Sequence, residues 1–366
     1  MSATPDFTGF PTDDPRMGHV LYTGPLSSAP ERPDVPAHRR VCLLGFPEDR
    51  GVARNGGRVG AARGPAAAMA LVRKVGTVVN AEYDGVDLVK GVVIAASGPG
   101  VDPTVKVEEP TLEVAHASLQ TRVAGTLQRG YVPFVIGGGN DQSYPNVRAL
   151  MDVVTGPSVA VINIDAHLDV RPMLPPSATD GVKDKPRAHS GSPFRQMLED
   201  PDFAALRGKF VEFAAQGSQC SAAHVAYLKS KNTSDVPDTT EIVWLRDVEA
   251  KYGMAPPGRT VGTSPFAIAF RAKIDQMSRG GSGAVFVSFD LDSVCSADAP
   301  GVSCASPLGL SAQQALDICY VAGNHPAVRL FDLSEYNPEI EEYRTGRLVA
   351  FMFYHFCLGL ATRPAQ

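Results

Sequence analysis

Basic charge is in short supply: Lys and Arg number 34 against 39 Asp and Glu, for a formal net charge of -5. With no basic field and no long block of like charge, neither nucleic acid nor an anionic membrane surface is an expected partner. Apolar runs are short as well. None reaches the roughly 20 residues that span a bilayer, and the first residues, M-S-A-T-P-D-F-T-G-F-P, have neither the basic nor the apolar region of a signal peptide. A soluble, cytoplasmic chain is the expectation. The six cysteines (Cys42, Cys220, Cys295, Cys304, Cys319, Cys357) show no C-x-x-C spacing, which indicates neither a disulfide framework nor a thiolate zinc site and leaves reduced thiols. G-x-x-x-x-G-K-[ST] and G-x-G-x-x-G are also missing. The Gly- and Arg-rich stretch after Phe46, P-E-D-R-G-V-A-R-N-G-G-R-V-G-A-A-R-G-P, therefore reads as a substrate-side or structural loop instead of a nucleotide cradle.

What is present is globular composition, 44% hydrophobic and 20% charged, which allows a substantial core. Residues 1–39, rich in Pro, Ser, Thr and Asp, read as an N-terminal extension, loose or draped over the domain. From Arg40 onward helix and strand alternate. Strands are expected at Arg40–Phe46, Tyr131–Ile136, Lys209–Ala214, Glu241–Leu245, Ala284–Phe289 and Val328–Leu333, around a central strand beginning at Val159. Helices are expected at Thr111–Arg129, Ser143–Val154, Ala222–Ser230, Pro265–Met277, Ser311–Ala322 and Glu342–Leu360. This alternation, with no composition break, predicts one domain over residues 40–366: a parallel sheet with helices on both faces, whose ligand site lies at the carboxyl ends of the strands.

Two strand ends carry the chemistry. V-A-V-I-N-I-D-A-H-L-D (159–169) ends in Asp165, His167 and Asp169 at alternating positions, and A-V-F-V-S-F-D-L-D (284–292) ends in Asp290 and Asp292. The period of two sends each set to one side of its strand. One such cluster is readily explained as capping of the strand end. Two are not, because carboxylates packed together without compensation repel and are costly to desolvate. A shared cation removes the difficulty.

Together, G-G-G-N-D (137–141), D-A-H-L-D (165–169), S-F-D-L-D (288–292) with A-P-G (299–301), and S-E-Y-N-P (334–338) resemble the ureohydrolases: arginases, agmatinases and formimidoylglutamases. The resemblance covers roughly residues 40 to 362 and implies a three-layer α/β/α sandwich around a central mostly parallel sheet, with two Mn²⁺ ions per subunit. It also implies that Asp165 and Asp290 bridge the metals, that His167 and Asp292 complete one site, and that Asn140 and Asp169 complete the other. Such a centre supplies hydroxide that attacks the carbon of a guanidinium or amidine. Asn140 departs from the family, which has His after the glycines, so the site containing it is expected to hold its metal more weakly. Glu335 matches the position that binds the cationic head of the substrate, and Asp169 helps hold the hydroxide.

The stretch H-S-G-S-P-F-R (189–195) is similar to the S-G-T-P-F-R of formimidoylglutamases, with Ser190 where arginases and agmatinases carry His. That choice makes formimidoylglutamate the expected substrate, hydrolysed to glutamate and formamide in histidine breakdown. His189 is a candidate proton shuttle or a surface residue with no such role. The surrounding loop carries Arg171, Lys183, Lys185, Arg187 and Arg195, and a glutamate-ended substrate brings two carboxylates needing cationic partners. Arg195, inside the motif, is the first candidate ligand for them and Arg187 the second. Agmatinase, guanidino-acid hydrolase or arginase activity is the alternative, as is a catalytically silent relative. Cys295 and Cys304 lie close in sequence to Asp292, so oxidation there could reach the metal site. The family includes trimers, hexamers and monomers, which leaves a homo-oligomer open.

Overall fold

The computed structural model describes residues 13–365 except 103–104, 106–107, 157, 235–236, 253–263 and 280–282. Nine strands hydrogen-bond into one sheet: β1 (Leu21–Thr23), β2 (Arg40–Phe46), β3 (Val93–Ser97), β4 (Val132–Gly137), β5 (Val159–Ile164), β6 (Lys209–Ala215), β7 (Thr240–Trp244), β8 (Ala284–Asp290) and β9 (Val328–Ser334). Their spatial order is β1-β3-β2-β4-β9-β8-β5-β6-β7, and every neighbouring pair is parallel. Val79–Asn80 and Val86–Asp87 pair antiparallel in a separate short ribbon.

Helices cover both faces, so the fold has three layers. Val285, Val287 and Phe289 of β8 enter one apolar cluster with the helices Ala312–Asn324 and Tyr343–Ala361. Ala284 and Phe286 enter another, with Leu112–Gln128 and Ser143–Val153. A strand buried on both sides must be apolar at successive positions, which is why its sequence reads as a run. Phe134 of β4 and Phe331 of β9 stack at 4.7 Å beneath the future site, and truncation of either to Ala would cost roughly 3–5 kcal/mol.

Local signals set the helix ends near the boundaries the sequence predicts. Ser264 and Ser311 each accept the backbone N–H three residues on, Pro265 occupies the first turn, and Gln314 closes a capping box with Ser311. No helix among the described residues is long and apolar enough to cross a membrane.

β1 and β3 have no counterpart in the sequence reading. β1 lies before Arg40 and pairs with β3 through Leu21 to Ile94 and Thr23 to Ala96. Met17 is fully buried, its N–H shared between the carbonyls of Val75 and Gly76. From residue 13 the extension is part of the packed structure, and residues 1–12 lie outside the described residues.

Register then builds the site. Ile136, Leu333, Phe289 and Ile164 stand level across β4, β9, β8 and β5. One residue further lie Gly137, Ser334, Asp290 and Asp165, at the carboxyl ends of the four central strands. Two residues below that row, on the same face, Asp332, Ser288, Asn163 and Glu212 are register partners across β9, β8, β5 and β6. All four are fully buried.

Candidate active site

The two aspartate clusters meet as the alternation predicts. One ligand atom from each of Asp165, Asp290 and Asp292 lies within 4.8 Å of the others, and the same holds for His167, Asp292 and Cys304. His167 Nδ1 is 3.1 Å from Asp292 Oδ2 and 3.5 Å from Asp165 Oδ1. Each bridging candidate also caps its own loop: Asp165 Oδ1 accepts the His167 N–H at 2.7 Å, and Asp290 Oδ1 the Asp292 N–H at 3.0 Å. Those bonds fix the carboxylates before any ion arrives.

Backbone geometry sets the rest. Asp169 and Glu335 have φ of +42° and +68°, a region that costs a non-glycine residue of order 1–3 kcal/mol and persists at sites where the surroundings enforce it. The Glu335 N–H donates to Gly138 O at 2.7 Å, and Glu335 Oε1 accepts the Asn140 N–H at 3.3 Å. Gly138 must be glycine, since a Cβ there would stand 2.0 Å from the Glu48 carbonyl oxygen. The run of glycines is therefore a passage for backbone beside the site.

Electrostatics mark the cluster as short of positive charge. Burial, and then repulsion from neighbouring carboxylates, pushes Asp169, Asp290 and Glu335 well above the usual carboxylate range, and Asp292 is raised as well, burial again being the main cause. Burial acts on Asp165 in the same direction, but the hydrogen bonds and charge of His167 outweigh it and hold Asp165 low. Burial disfavours charge on His167, yet Asp292 and Asp165 raise it. Asp292 Oδ1 is buried without a hydrogen-bond partner among the described residues. Hard oxygen donors, one imidazole and an orphaned carboxylate oxygen suit a hard divalent cation.

Asn140 meets the cluster by the other end of its amide. Nδ2 points at Asp169 Oδ2 (2.8 Å) and Asp165 Oδ2 (3.4 Å). Oδ1 accepts from the hydroxyls of Ser143 (2.9 Å) and Ser334 (3.1 Å). The hydroxyls can pair with either end of the amide, so the two carboxylates beside Nδ2 set the orientation. In this arrangement the amide oxygen expected as a ligand is turned away from the carboxylates.

The loop residues divide differently from the sequence expectation. Arg195 pairs with Glu199 at 3.0 Å and stacks over the Tyr227 ring at 4.3 Å; it does not line the cavity above the cluster. Arg187 binds the Pro175 carbonyl and the Asp180 carboxylate, also outside it. His189 is buried rather than at the surface, with Nδ1 accepting the Gly191 N–H at 3.2 Å and Nε2 donating to Pro172 O at 3.0 Å. Burial lowers its pKa. Both ring nitrogens are committed to the loop, and His189 does not line the cavity above the cluster. Ser190 does line the cavity, accepting from Asn55 Nδ2 at 3.1 Å.

The cavity measures about 250 Å³ and joins His167, Asp169, Asp290, Asp292 and Glu335 to Asn55, Arg171, Ser190, Gln219, Ser221 and His224. Arg171 donates to Asn55 Oδ1 at 3.1 Å. Arg171 is the basic residue of the loop that reaches this wall. Gln219, Ser221 and His224 follow β6, and only their place beyond a strand's carboxyl end could have signalled them.

Comparison with known proteins agrees with this geometry. A model of the arginase family matches residues 39–359. The chain is 28% identical to the formimidoylglutamase of Aromatoleum aromaticum over 346 residues, covering 92% of this chain and 87% of that one. It is 29% identical over 375 residues to the formimidoylglutamase of Nocardia farcinica, with all of both chains covered. Among solved structures it is similar to Trypanosoma cruzi formiminoglutamase with Mn²⁺, at 40% identity and a TM-score of 0.76, covering 96% of this chain and 100% of that one.

Proposed function

Because the chain belongs to the arginase family, we propose that it hydrolyses N-formimidoyl-L-glutamate to L-glutamate and formamide, with Mn²⁺ as cofactor. Formimidoylglutamases among the relatives, and a related formiminoglutamase crystallised with Mn²⁺, support the reading. The observation that carries it is one cavity lined by buried carboxylates and by Arg171. An amidine needs the first and a glutamate the second; agmatine, which has no carboxylate, would leave Arg171 unused.

Asp165, Asp290, Asp292 and His167 would hold one ion, and Asp165, Asp169 and Asp290 a second, more weakly bound beside Asn140. Bound there, Mn²⁺ supplies positive charge to the cluster and lowers the pKa of water enough to give a nucleophile near neutral pH. Glu335 accepts hydrogen bonds from the substrate's amidinium, whose charge offsets the repulsion that raises this carboxyl, and so holds the formimidoyl carbon in place. Asp169, in the cavity wall beside Asp290 and Glu335, is placed to take a proton from the attacking water and return it to the leaving nitrogen. The C–N bond then breaks, glutamate departs as the amine, and the carbon leaves as formamide. Arg171, with Asn55 and Ser190 beside it, grips the glutamate carboxylates.

Arg171→Ala in Mn²⁺-loaded protein should raise KM for formimidoylglutamate about tenfold or more, the loss of one charged hydrogen-bonding partner, with a smaller change in kcat. Arg195→Ala should leave KM near wild type. The reverse pattern would return the carboxylate grip to the H-S-G-S-P-F-R motif, and absence of glutamate release from the wild type would overturn the function.

A further inference from the structure

Cys304 takes no part in the hydrolysis described above, yet it stands in the cavity wall with His167 and Asp292. The ligand atoms of these three residues lie within 4.8 Å of one another. Cys304 itself is exposed and in no disulfide, whereas Asp292 is 4% exposed and keeps Oδ1 without a partner among the described residues. The loop around the thiol is tied on both sides. Arg58 donates its N–H to Ser303 Oγ at 2.9 Å and its Nε–H to Ser303 O at 3.0 Å, and Ser306 Oγ donates to Gln216 Oε1 at 2.8 Å. The sulfur is therefore presented to the site by a tethered loop.

One imidazole, one carboxylate and one thiol differ in kind from the all-oxygen set of Asp165, Asp290 and Asp292. A thiolate is soft and favours Zn²⁺ or Cd²⁺ over Mn²⁺, which also stands lower in the general order of divalent affinity. Tetrahedral zinc with bonds of about 2.0 Å to N or O and 2.3 Å to S needs ligand atoms roughly 3.3–3.5 Å apart. His167 Nδ1 and Asp292 Oδ2 are already 3.1 Å apart. The remaining closure is a rotation of an exposed cysteine side chain.

We propose that His167, Asp292 and Cys304 form a site for a thiophilic divalent cation, Zn²⁺ or Cd²⁺, that competes with Mn²⁺ by taking two of its ligands. Binding displaces the thiol proton of Cys304 to solvent and the proton shared by His167 and Asp292, with no change in oxidation state. Three protein ligands leave a fourth position open, so the ion would sit in the cavity and block it. The inference uses the side chains alone and holds whatever the substrate.

The test is titration of the metal-free, full-length protein with Cd²⁺, following the thiolate-to-metal charge-transfer absorption. One equivalent should saturate the band, Cys304→Ser should abolish it, and the residual Cd²⁺ affinity should fall at least about tenfold, the minimum that even an outer-sphere partner costs a metal site. In the wild type, Zn²⁺ should protect Cys304 from alkylation, read by peptide mass spectrometry, while Mn²⁺ protects it far less. A missing band, an equal band in Cys304→Ser, or equal protection by Mn²⁺ and Zn²⁺ would overturn the proposal. None of these readouts requires turnover, so an inactive protein would contradict the proposed function without touching this site.

Discussion

Asn140 Nδ2 lies 2.8 Å from Asp169 Oδ2, so the amide enters the site as a donor. To offer its oxygen to a metal, the amide would have to turn over. The hydroxyls of Ser143 and Ser334 could then accept from Nδ2 instead of donating to Oδ1, so the turn is possible, but it exchanges hydrogen bonds worth about 0.5–1.5 kcal/mol each. A metal bound through that oxygen would have to supply the reorganisation from its own binding energy.

Asn140→His should therefore raise occupancy of the second site. After dialysis at low Mn²⁺, metal analysis of the wild type should give fewer than two ions per chain and the variant more than the wild type. Equal, full retention by both proteins would mean that the amide costs the centre nothing.

A second relationship runs beneath the first. Asn163 Nδ2 bridges Asp165 Oδ2 at 3.1 Å and Glu212 Oε1 at 2.8 Å, and burial, followed by the charge of Asp165, raises the Glu212 carboxyl well above its usual range. Glu212 thus accepts from Asn163 and holds its amide against Asp165. Glu212→Gln keeps that acceptor and should change the stability of the metal-free protein by no more than about 1 kcal/mol. Glu212→Ala strands the amide and opens a void, costing roughly 2–4 kcal/mol. Urea unfolding separates the two; equal losses would mean that the negative charge, and not the hydrogen bond, is what matters.

Asp332 gives the fold a pH dependence. Burial pushes its carboxyl up to about 7, although Asn146 donates to it. Between pH 4 and pH 7, approximately, the unfolded chain has lost this proton while the folded chain keeps it, so stability falls as pH rises through that window. The full shift corresponds to at most about 4 kcal/mol. Asp332→Asn should flatten the difference, and a wild-type-minus-variant stability that is constant from pH 4 to 7 would contradict it.

The carboxylate cluster of the site was readable because it depends on short-range rules. Asp165 and Asp290 end apolar runs, the period of two fixes their side, and the parallel register then sets them next to each other. The orientation of Asn140 was hidden, since the carboxylates of Asp165 and Asp169, which only the folded sheet brings beside it, decide it. Arg195 misled for a similar reason: its partners, Glu199 one turn ahead and Tyr227 on another helix, appear only when the loop is folded. Strand β1 has three residues, too few for a periodic signal, and exists because β3 offers it an edge.

The measurement that bears most directly on the function is kcat/KM for formimidoylglutamate, agmatine and arginine by the Mn²⁺-reconstituted protein, with a metal-free control. Metal-dependent turnover strongly favouring formimidoylglutamate is the predicted result. Preference for agmatine would contradict the assignment of Arg171 and, with it, the substrate; preference for arginine, which carries a carboxylate, would contradict the substrate alone.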